Sequence, residues 1–277
     1  MTVTRFAPSP TGRLHLGHAY SALFAEAAAK EHGGDFLLRI EDIDLTRCRP
    51  EFTQGIIEDL SWLGIQWSAE VMLQSERTDC YSVALGKLSE QGLLYPCFCT
   101  RRDIAMEISA AGGAPHDHAD VPYPGICRRL PEELRLERVA SGEAHALRLD
   151  SGKALEKAGE LHWSDLLLGA QPVCMGKLGD VVLARKDIAN SYHLAVCVDD
   201  AEQGVTLVTR GDDLLESTHV HRLLQNLLGL PVPQWHHHRL LRDAEGKRLA
   251  KREEGMTLRA IRESGKSAAD VRGDLGF

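Results

Sequence analysis

The chain has 277 residues, of which 43% are hydrophobic, and its formal net charge is -8. This length and apolar content suffice for a packed core in one large domain or two modest ones. The acidic balance excludes a basic coat for nucleic acid over the whole surface. Any polyanion must therefore be bound in a local basic groove.

The seven cysteines are an odd number, which is typical of a reduced cytosolic protein rather than of a disulfide framework. The start "MTVTRFAPSP" lacks the basic-then-apolar order of a signal peptide. No run approaches the ~18 apolar residues that a membrane span needs. We predict a cytoplasmic protein without membrane attachment, and nothing in the sequence demands more than a monomer.

The first elements in chain order are a strand, a helix and a second strand. "TVTRFAP" alternates and is rich in β-formers, and Pro8 and Pro10 end it. Apolar residues at helical spacing predict a helix over residues 19–30, which Gly33 and Gly34 stop. "DFLLRIEDID" predicts the second strand. This βαβ unit indicates a parallel sheet with ligands at the carboxyl ends of its strands.

The remaining elements alternate between helical and β patterns. Residues 54–92 predict two core-facing helices, and residues 95–130 read as an irregular insertion. "LHWSDLLLGAQPVC" to "GDVVLARKDI" predicts further β structure. We interpret both "SYHLAVCVDDA" and "GVTLVTRGDDLL" as strand cores followed by acidic turn residues. The "HHH" at 236–238 predicts a short strand or turn, and we assign it no metal.

The "HLGH" stretch, residues 15–18, follows the first strand and opens the first helix. A helix N-terminus offers unpaired backbone N–H groups and a partial positive charge, so phosphate is a natural ligand there. Gly17 would let a nucleotide approach the backbone, and His15 and His18 can donate ring N–H groups to phosphate oxygens. Such donors are worth about 3 kcal/mol each when charge develops on the ligand. The alternative is a loop with two solvated histidines.

Further motifs follow in a fixed order. "RFAPSPTGRLHLGH", "RIEDID", "YHLAVCVDD", "RGDDLLEST" and "GKRLAKRE" together resemble the class I glutamyl-tRNA synthetase family, with "HLGH" in place of its HIGH signature. The resemblance implies an α/β fold: a Rossmann-like parallel-sheet catalytic core with a zinc-bearing insertion and a short helical C-terminal segment. The resemblance implies that residues 1–94 and 131–225 form the two halves of the core. Residues 95–130 would be the insertion, and residues 226–277 the C-terminal segment.

The resemblance implies activation of glutamate with ATP, accompanied by Mg²⁺, to give glutamyl-adenylate. His15, His18 and Lys251 would act on the phosphates, and Gly17 and Arg248 would also contact ATP. Lys251 aligns with the second lysine of the family's KMSKS signature. Arg248 replaces its first lysine and an alanine replaces its serine, so the kinetics of this loop can differ. Taken alone, "GKRLAKREE" is typical of a solvated charged turn.

Two arginines match the family's carboxylate-binding positions, Arg5 at the end of the first strand and Arg210 in "TRGDD". A planar guanidinium can hold a carboxylate through two parallel hydrogen bonds, which lysine cannot do. We predict that replacing either arginine by alanine abolishes glutamate-dependent pyrophosphate exchange.

Three further residues match the family's amino-acid pocket. Ser9 and Glu41 are at positions that receive the α-amino group, and Tyr192 lines the same pocket. A buried Glu41 needs a cationic partner, which the substrate ammonium would supply. The alternative is an internal salt bridge between Glu41 and Arg39 or Arg47.

The insertion contains a candidate metal site. Cys97 and Cys99 point to the same side if that stretch is extended, and Cys127 could join them. Zinc prefers four ligands in a tetrahedron, so three thiolates leave one position. From the residues alone, His116 or His118 could complete the site.

The resemblance instead implies Tyr123 as the fourth ligand of one structural zinc ion, because the glutamyl-queuosine branch of the family pairs Cys-x-Cys with Tyr-x-x-x-Cys. The alternative is a group of reduced core thiols, since a lone Cys-x-Cys is a weak signal. We interpret the other cysteines as packing residues: Cys48, Cys80, Cys174 and Cys197.

Few residues follow Lys251, so the sequence predicts no separate anticodon-binding domain. This resembles the glutamyl-queuosine branch, which esterifies glutamate onto the cyclopentenediol of queuosine in the anticodon loop of tRNA(Asp). The expected partners are glutamate, ATP and queuosine-bearing tRNA(Asp). One alternative is a minimal synthetase that charges the 3′ end of tRNA(Glu). Another is an inactive paralogue that binds RNA or a protein partner.

Overall fold

A computed structural model describes residues 1–100, 102–104, 106, 122–187, 190–241 and 257–277. Within these ranges, no helix combines the length and the apolar character that crossing a bilayer requires.

The predicted βαβ unit is confirmed. Strand β1 (Val3–Phe6) leads through helix α1 (Leu16–Glu31) to strand β2 (Asp35–Ile40), and β1 and β2 pair in parallel. The helix begins before residue 19 because the side chain of His15 caps its first turn. It ends as predicted, where Gly33 adopts a φ of 59°.

The two predicted helices of the next segment are α2 (Pro50–Trp62) and α3 (Thr78–Glu90). A proline in the first turn of α2 suits the fixed φ of that residue. Between these helices, a short strand β3 (Met72–Leu73) pairs in parallel with β2. The sequence pattern does not predict β3, because two residues are too few to show a period.

A second sheet continues the parallel one. It contains β6 (His162–Asp165), β7 (Gly169–Pro172), β9 (Leu207–Gly211) and β10 (Gln234–His238) in the order β7-β6-β10-β9. Strand β10 runs parallel to β9 and β6, whereas β7 is antiparallel to β6. The Thr206 N–H donates to the Val3 carbonyl over 3.0 Å, so the two sheets adjoin at β1 and β9.

A third sheet is antiparallel and comprises β4 (Leu94–Cys97), β5 (Ala146–Leu149) and β8 (Val182–Ala184). Helices α4 (Glu132–Ala140) and α5 (Ser151–Ala158) flank β5 along the chain. The segment read as irregular thus contains part of a regular strand, because β4 reaches into it. In its described part, the predicted β structure from residue 161 to residue 188 is confirmed by β6, β7 and β8.

One predicted strand is wrong. The stretch "SYHLAVCVDDA" forms helix α6 (Tyr192–Glu202), whereas "GVTLVTRGDDLL" contains strand β9 as predicted, followed by helix α7 (Leu215–Leu228). A short continuous apolar run fits a buried helix and a buried strand equally well. Asp199 and Asp200, interpreted as turn residues, lie buried on α6.

The predicted helical C-terminal segment is confirmed by α8 (Leu258–Glu263) and α9 (Ala268–Leu275). Leu258 and Val271 are buried in the same apolar cluster as α1. In addition, the Leu258 N–H donates to the Leu14 carbonyl over 2.8 Å. This segment therefore packs directly beside the "HLGH" turn.

Candidate active site

The "HLGH" turn is a reciprocal cap at the N-terminus of α1. Nδ1 of His15 accepts the Gly17 N–H over 3.0 Å, and Nδ1 of His18 accepts the His15 N–H over 3.2 Å. Because both Nδ1 atoms act as acceptors, each neutral ring carries its proton on Nε2. The two rings also stack, with centroids 3.8 Å apart. The helix start therefore fixes the tautomer of both histidines.

Gly17, which is predicted to contact a nucleotide, also leaves space for the side chain of His15. A Cβ atom at this position would lie 2.9 Å from Cε1 of His15, which is closer than carbon atoms approach in proteins. A larger residue here would displace the His15 ring from its position over the end of its own helix.

A cavity of about 540 Å³ opens at the carboxyl ends of β1, β2, β9 and β10, the edge at which the sequence predicts ligands. It brings together all five predicted glutamate-binding residues and the three predicted ATP-contacting residues of the "HLGH" turn. These are Arg5, Ser9, Glu41, Tyr192 and Arg210, with His15, Gly17 and His18.

Arg248 and Lys251, the predicted residues of the second signature, lie outside the described residues. Both described flanks of that signature nevertheless lie at or beside residues of the cavity. Leu241 lines it on one side, and Thr257 forms a β-bridge with His15 on the other. The second signature is therefore connected at both ends to the surroundings of the first.

Arg5 already has a carboxylate partner within the protein. Its Nε and Nη2 lie 3.0 and 3.3 Å from the two carboxylate oxygens of Asp200. Asp200 also accepts from Arg39 over 2.8 Å. Burial raises the pKa of Asp200, but the two guanidinium groups outweigh that effect and lower the pKa below its ordinary value. Arg5 therefore lines the cavity with much of its hydrogen-bonding fork occupied.

Arg210 is only 6% exposed, and none of the described carboxylates forms an ion pair with it. Its guanidinium donates instead to neutral groups: His237 Nε2 (3.2 Å), His221 Nδ1 (3.1 Å), Thr218 Oγ1 (2.5 Å) and Tyr192 Oη (3.5 Å). Burial lowers the pKa of Arg210, and burial and Arg210 lower the pKa values of both histidines. A buried cation surrounded by neutral acceptors is suited to bind an anion.

His237 is oriented by a buried aspartate. Asp165 Oδ2 lies 2.7 Å from His237 Nδ1, which places the ring proton on Nδ1 and leaves Nε2 as the acceptor that faces Arg210. The sequence pattern assigns no role to His237, and it does not identify His221 or Thr218 either. The available signal was the position of "RGDDLLEST" and "HHH" directly after strands of the parallel sheet.

Glu41 forms the internal contact considered as its alternative role, because Oε1 lies 3.6 Å from Nη2 of Arg39. Burial raises the pKa of Glu41 to about 7, and Arg39 only partly offsets that shift. Arg39 is itself shared among Glu41, Asp199 and Asp200. Glu41 thus retains capacity for a second cation inside the cavity.

The three cysteines of the insertion converge. The sulfur atoms of Cys97, Cys99 and Cys127 all lie within 4.8 Å of one another, and this is the metal-ligand cluster found among the described residues. The hydroxyl of Tyr123 lies 3.4 Å from the sulfurs of Cys97 and Cys99. His116, also considered as a fourth ligand, lies outside the described residues, as does His118.

The spacing of these atoms fits a tetrahedral ion. Zn–S bonds of about 2.3 Å and Zn–O bonds of about 2.0 Å place neighbouring ligand atoms about 3.5–3.8 Å apart. Without a metal, burial raises the pKa of Cys99 to about 12. Burial also opposes ionisation of Cys97, but hydrogen bonds from Tyr123 and Arg148 lower the pKa of Cys97. Arg148, stacked 3.8 Å above the Tyr123 ring, adds positive charge beside the cluster.

Comparisons with known proteins agree with this geometry. Residues 1–270 match the family of class I tRNA synthetases (E and Q), catalytic domain. The Glutamyl-Q tRNA(Asp) synthetase of Rhodobacter capsulatus is 48% identical over 282 residues, which cover 99% of this chain and 100% of that protein. The protein of the same name from Symbiobacterium thermophilum is 44% identical, over 100% of this chain and 86% of its own.

Among solved structures, the glutamate tRNA ligase of Elizabethkingia meningosepticum in complex with its amino acid is similar, with a TM-score of 0.76 and 32% identity. The match covers 92% of this chain and 52% of that ligase, so the chain spans about half of its length. The parallel-sheet fold, the cavity at its carboxyl edge and these matches lead to one conclusion: the chain belongs to the family of class I tRNA synthetases for glutamate and glutamine.

Proposed function

We propose that the protein activates glutamate with ATP and transfers it to the cyclopentenediol of queuosine in the anticodon loop of tRNA(Asp). The observation that carries this proposal is the match over 99% of this chain and all of the length of a Glutamyl-Q tRNA(Asp) synthetase. It is supported by the cavity that contains both the "HLGH" histidines and Arg210.

The residues of the cavity suit the activation step. The α-carboxylate of glutamate must remain free to attack the α-phosphorus, so the carboxylate at Arg210 is the side-chain one. Glu41 and Ser9 receive the α-ammonium, and the contact with Arg210 orients the Tyr192 hydroxyl in the same pocket. Fixing the two reactants in this way supplies much of the rate enhancement, since phosphoryl transfer depends largely on positioning.

His15 and His18 act on the phosphates. With their protons fixed on Nε2, the two rings donate to phosphate oxygens as negative charge develops, in addition to the N–H groups at the start of α1. Lys251, together with Arg248, completes the neutralisation from the second signature. Mg²⁺ accompanies ATP and is held mainly by phosphate and water oxygens.

We further propose that Cys97, Cys99, Tyr123 and Cys127 bind one structural zinc ion. Three thiolates and a phenolate close the coordination sphere, which is typical of structural rather than catalytic zinc. Zinc would hold the end of β4 to the turn at Cys127. Metal analysis after purification without chelator should give about one equivalent of zinc, and less than about a tenth of an equivalent would contradict the site.

One assay tests the function. Radiolabelled glutamate and ATP are offered with queuosine-containing tRNA(Asp), queuosine-free tRNA(Asp) and tRNA(Glu). Label on the first alone is expected, because only that RNA carries the cyclopentenediol. Label on tRNA(Glu) would instead identify an enzyme that charges the 3′ end, and no label would indicate an inactive paralogue.

A further inference from the structure

A second cavity, of about 390 Å³, adjoins the glutamate pocket. The two cavities share Ser9, Glu41 and Tyr192 as walls, so a molecule in the second would lie beside the amino acid. Its volume is within the roughly 300–1,000 Å³ of small-molecule sites. The proposed activation step needs glutamate and ATP only and leaves this space unused.

Three polar side chains that line this second cavity are buried and incompletely satisfied. Gln74, Asn190 and Ser191 are 1%, 3% and 8% exposed. Within the described ranges, Gln74 Oε1, Asn190 Oδ1 and Ser191 Oγ have no hydrogen-bond partner. A buried polar atom without a partner costs about 1–3 kcal/mol, so such a group of atoms indicates a ligand that supplies the missing hydrogen bonds.

The backbone position of Ser191 strengthens this interpretation. Ser191 is the N-cap residue of α6 and has the extended conformation of an N-cap, yet its side chain makes no hydrogen bond to the helix. A serine hydroxyl at an N-cap normally accepts from the backbone two or three residues later. Its hydroxyl is therefore available to the cavity, whereas the Gln74 amide is anchored because Nε2 donates to Asp199 over 2.7 Å.

The chemistry of the three atoms defines the ligand class. Two amide oxygens accept hydrogen bonds, and a hydroxyl can both accept and donate. A ring that carries neighbouring hydroxyl groups satisfies all three, whereas an anion would be repelled by the amide oxygens. At the rim, Arg47 is exposed, whereas Arg185 is paired with Asp44 over 3.2 Å and with Asp187 over 2.7 Å. The exposed Arg47 suits a phosphate that flanks a nucleoside in RNA.

We propose that this second cavity binds the accepting nucleoside, with Gln74, Asn190 and Ser191 holding its vicinal hydroxyls. The inference rests on the proposed function. One hydroxyl oxygen attacks the carbonyl carbon of glutamyl-adenylate and forms the ester bond. The bond between that carbon and the phosphate oxygen breaks, AMP leaves, and the hydroxyl proton passes to a phosphate oxygen of the AMP.

The experiment separates activation from transfer. Asn190→Ala and Ser191→Ala are measured in glutamate-dependent pyrophosphate exchange, which needs no acceptor, and in glutamylation of queuosine-containing tRNA(Asp). We expect exchange within about twofold of wild type and a loss of about tenfold in transfer kcat/KM for each variant. The double variant should lose about a hundredfold if the two hydrogen bonds are independent. Ser191→Thr keeps the hydroxyl and should restore most of the transfer.

Ser82→Ala is a matched control, because the hydroxyl of this exposed serine donates to the Thr78 carbonyl of its own helix and lies outside both cavities, and neither reaction should change. Transfer at the wild-type rate in both alanine variants would overturn the inference, and so would a parallel loss of exchange. If the wild-type protein activates glutamate but does not label queuosine-containing tRNA(Asp), the proposed function fails, and the inference fails with it.

Discussion

The glutamate cavity and the cysteine cluster are assembled from the chain in opposite ways. The cavity collects Arg5, Glu41 and Arg210 from the ends of three parallel strands that are far apart in sequence. The cluster collects its ligands from one strand end and one turn, between Cys97 and Cys127. The cavity therefore depends on the whole fold, whereas the cluster lies within one local segment.

Within the cavity, the two arginines show the same contrast on a smaller scale. Arg5 is paired with the buried Asp200, and Arg210 is surrounded by neutral donors and acceptors. A guanidinium that already has a carboxylate contributes to the fold, and one without a carboxylate is prepared for a ligand. The sequence motifs assign both arginines the same role in carboxylate binding, and only the structure separates them.

The largest expected effect follows from replacing Arg5. Arg5→Ala leaves Asp200 buried with only part of its hydrogen bonding, which typically costs about 3–5 kcal/mol of unfolding free energy. Unfolding in denaturant measures this change in the free energy of unfolding. Lys177→Ala is the control, because the pair between Lys177 and Glu216 is on the surface and should contribute less than about 1 kcal/mol. Unchanged stability of Arg5→Ala would show that Asp200 is satisfied by Arg39 alone.

Replacing Arg210 should affect activity rather than stability. Arg210→Ala removes a buried cation that none of the described carboxylates neutralises, which favours the folded state, but it also leaves buried acceptors such as Thr218 Oγ1 and His221 Nδ1 without their donor. These effects oppose each other, so the free energy of unfolding should change less than in Arg5→Ala. We expect kcat/KM for glutamate in pyrophosphate exchange to fall by about 10²–10³-fold. Arg210→Lys should not restore it, because an ammonium cannot reproduce the planar fork.

Arg222→Ala is the control for this prediction, since Arg222 lies on α7 and, among the described residues, its side chain donates to the His162 carbonyl rather than to any group of the glutamate cavity. A loss of stability in Arg210→Ala without loss of glutamate dependence would reverse the roles assigned to the two arginines.

Replacing a cysteine of the cluster should affect zinc content and stability but not pyrophosphate exchange. If the cluster binds zinc as proposed, Cys99→Ser removes one ligand, so zinc content should fall and the stabilisation by added zinc should decrease. That stabilisation is about 2.7 kcal/mol when free zinc exceeds its Kd a hundredfold. Cys174→Ser is the control, because this exposed cysteine is outside the cluster. Pyrophosphate exchange should persist in both variants, and its loss in Cys99→Ser alone would contradict a purely structural role.

The same contrast explains how much the sequence can predict. The βαβ unit, the edge where ligands bind and the cysteine group follow from local patterns: Pro8, Gly33 and the Cys-x-Cys spacing. The strand predicted where helix α6 lies was wrong, because an apolar run does not distinguish a buried helix from a buried strand. The partners of Arg5 and Arg210 could not be predicted, because Asp200 and His237 reach them only through tertiary packing. The second signature lies outside the described residues and remains a prediction.

The smallest expected effect concerns pH. Burial raises the pKa of Glu41 to about 7, so the carboxylate is mostly ionised at pH 8 and mostly protonated at pH 6. Protonation removes the negative charge that receives the substrate ammonium, so KM for glutamate should rise about tenfold between pH 8 and pH 6. KM for ATP, measured in the same exchange assay, should not follow this curve. In Glu41→Gln the carboxylate is absent at every pH, so KM should be high and nearly constant. A persistent tenfold change in Glu41→Gln would assign the titration to another group and leave Glu41 as a partner of Arg39 alone.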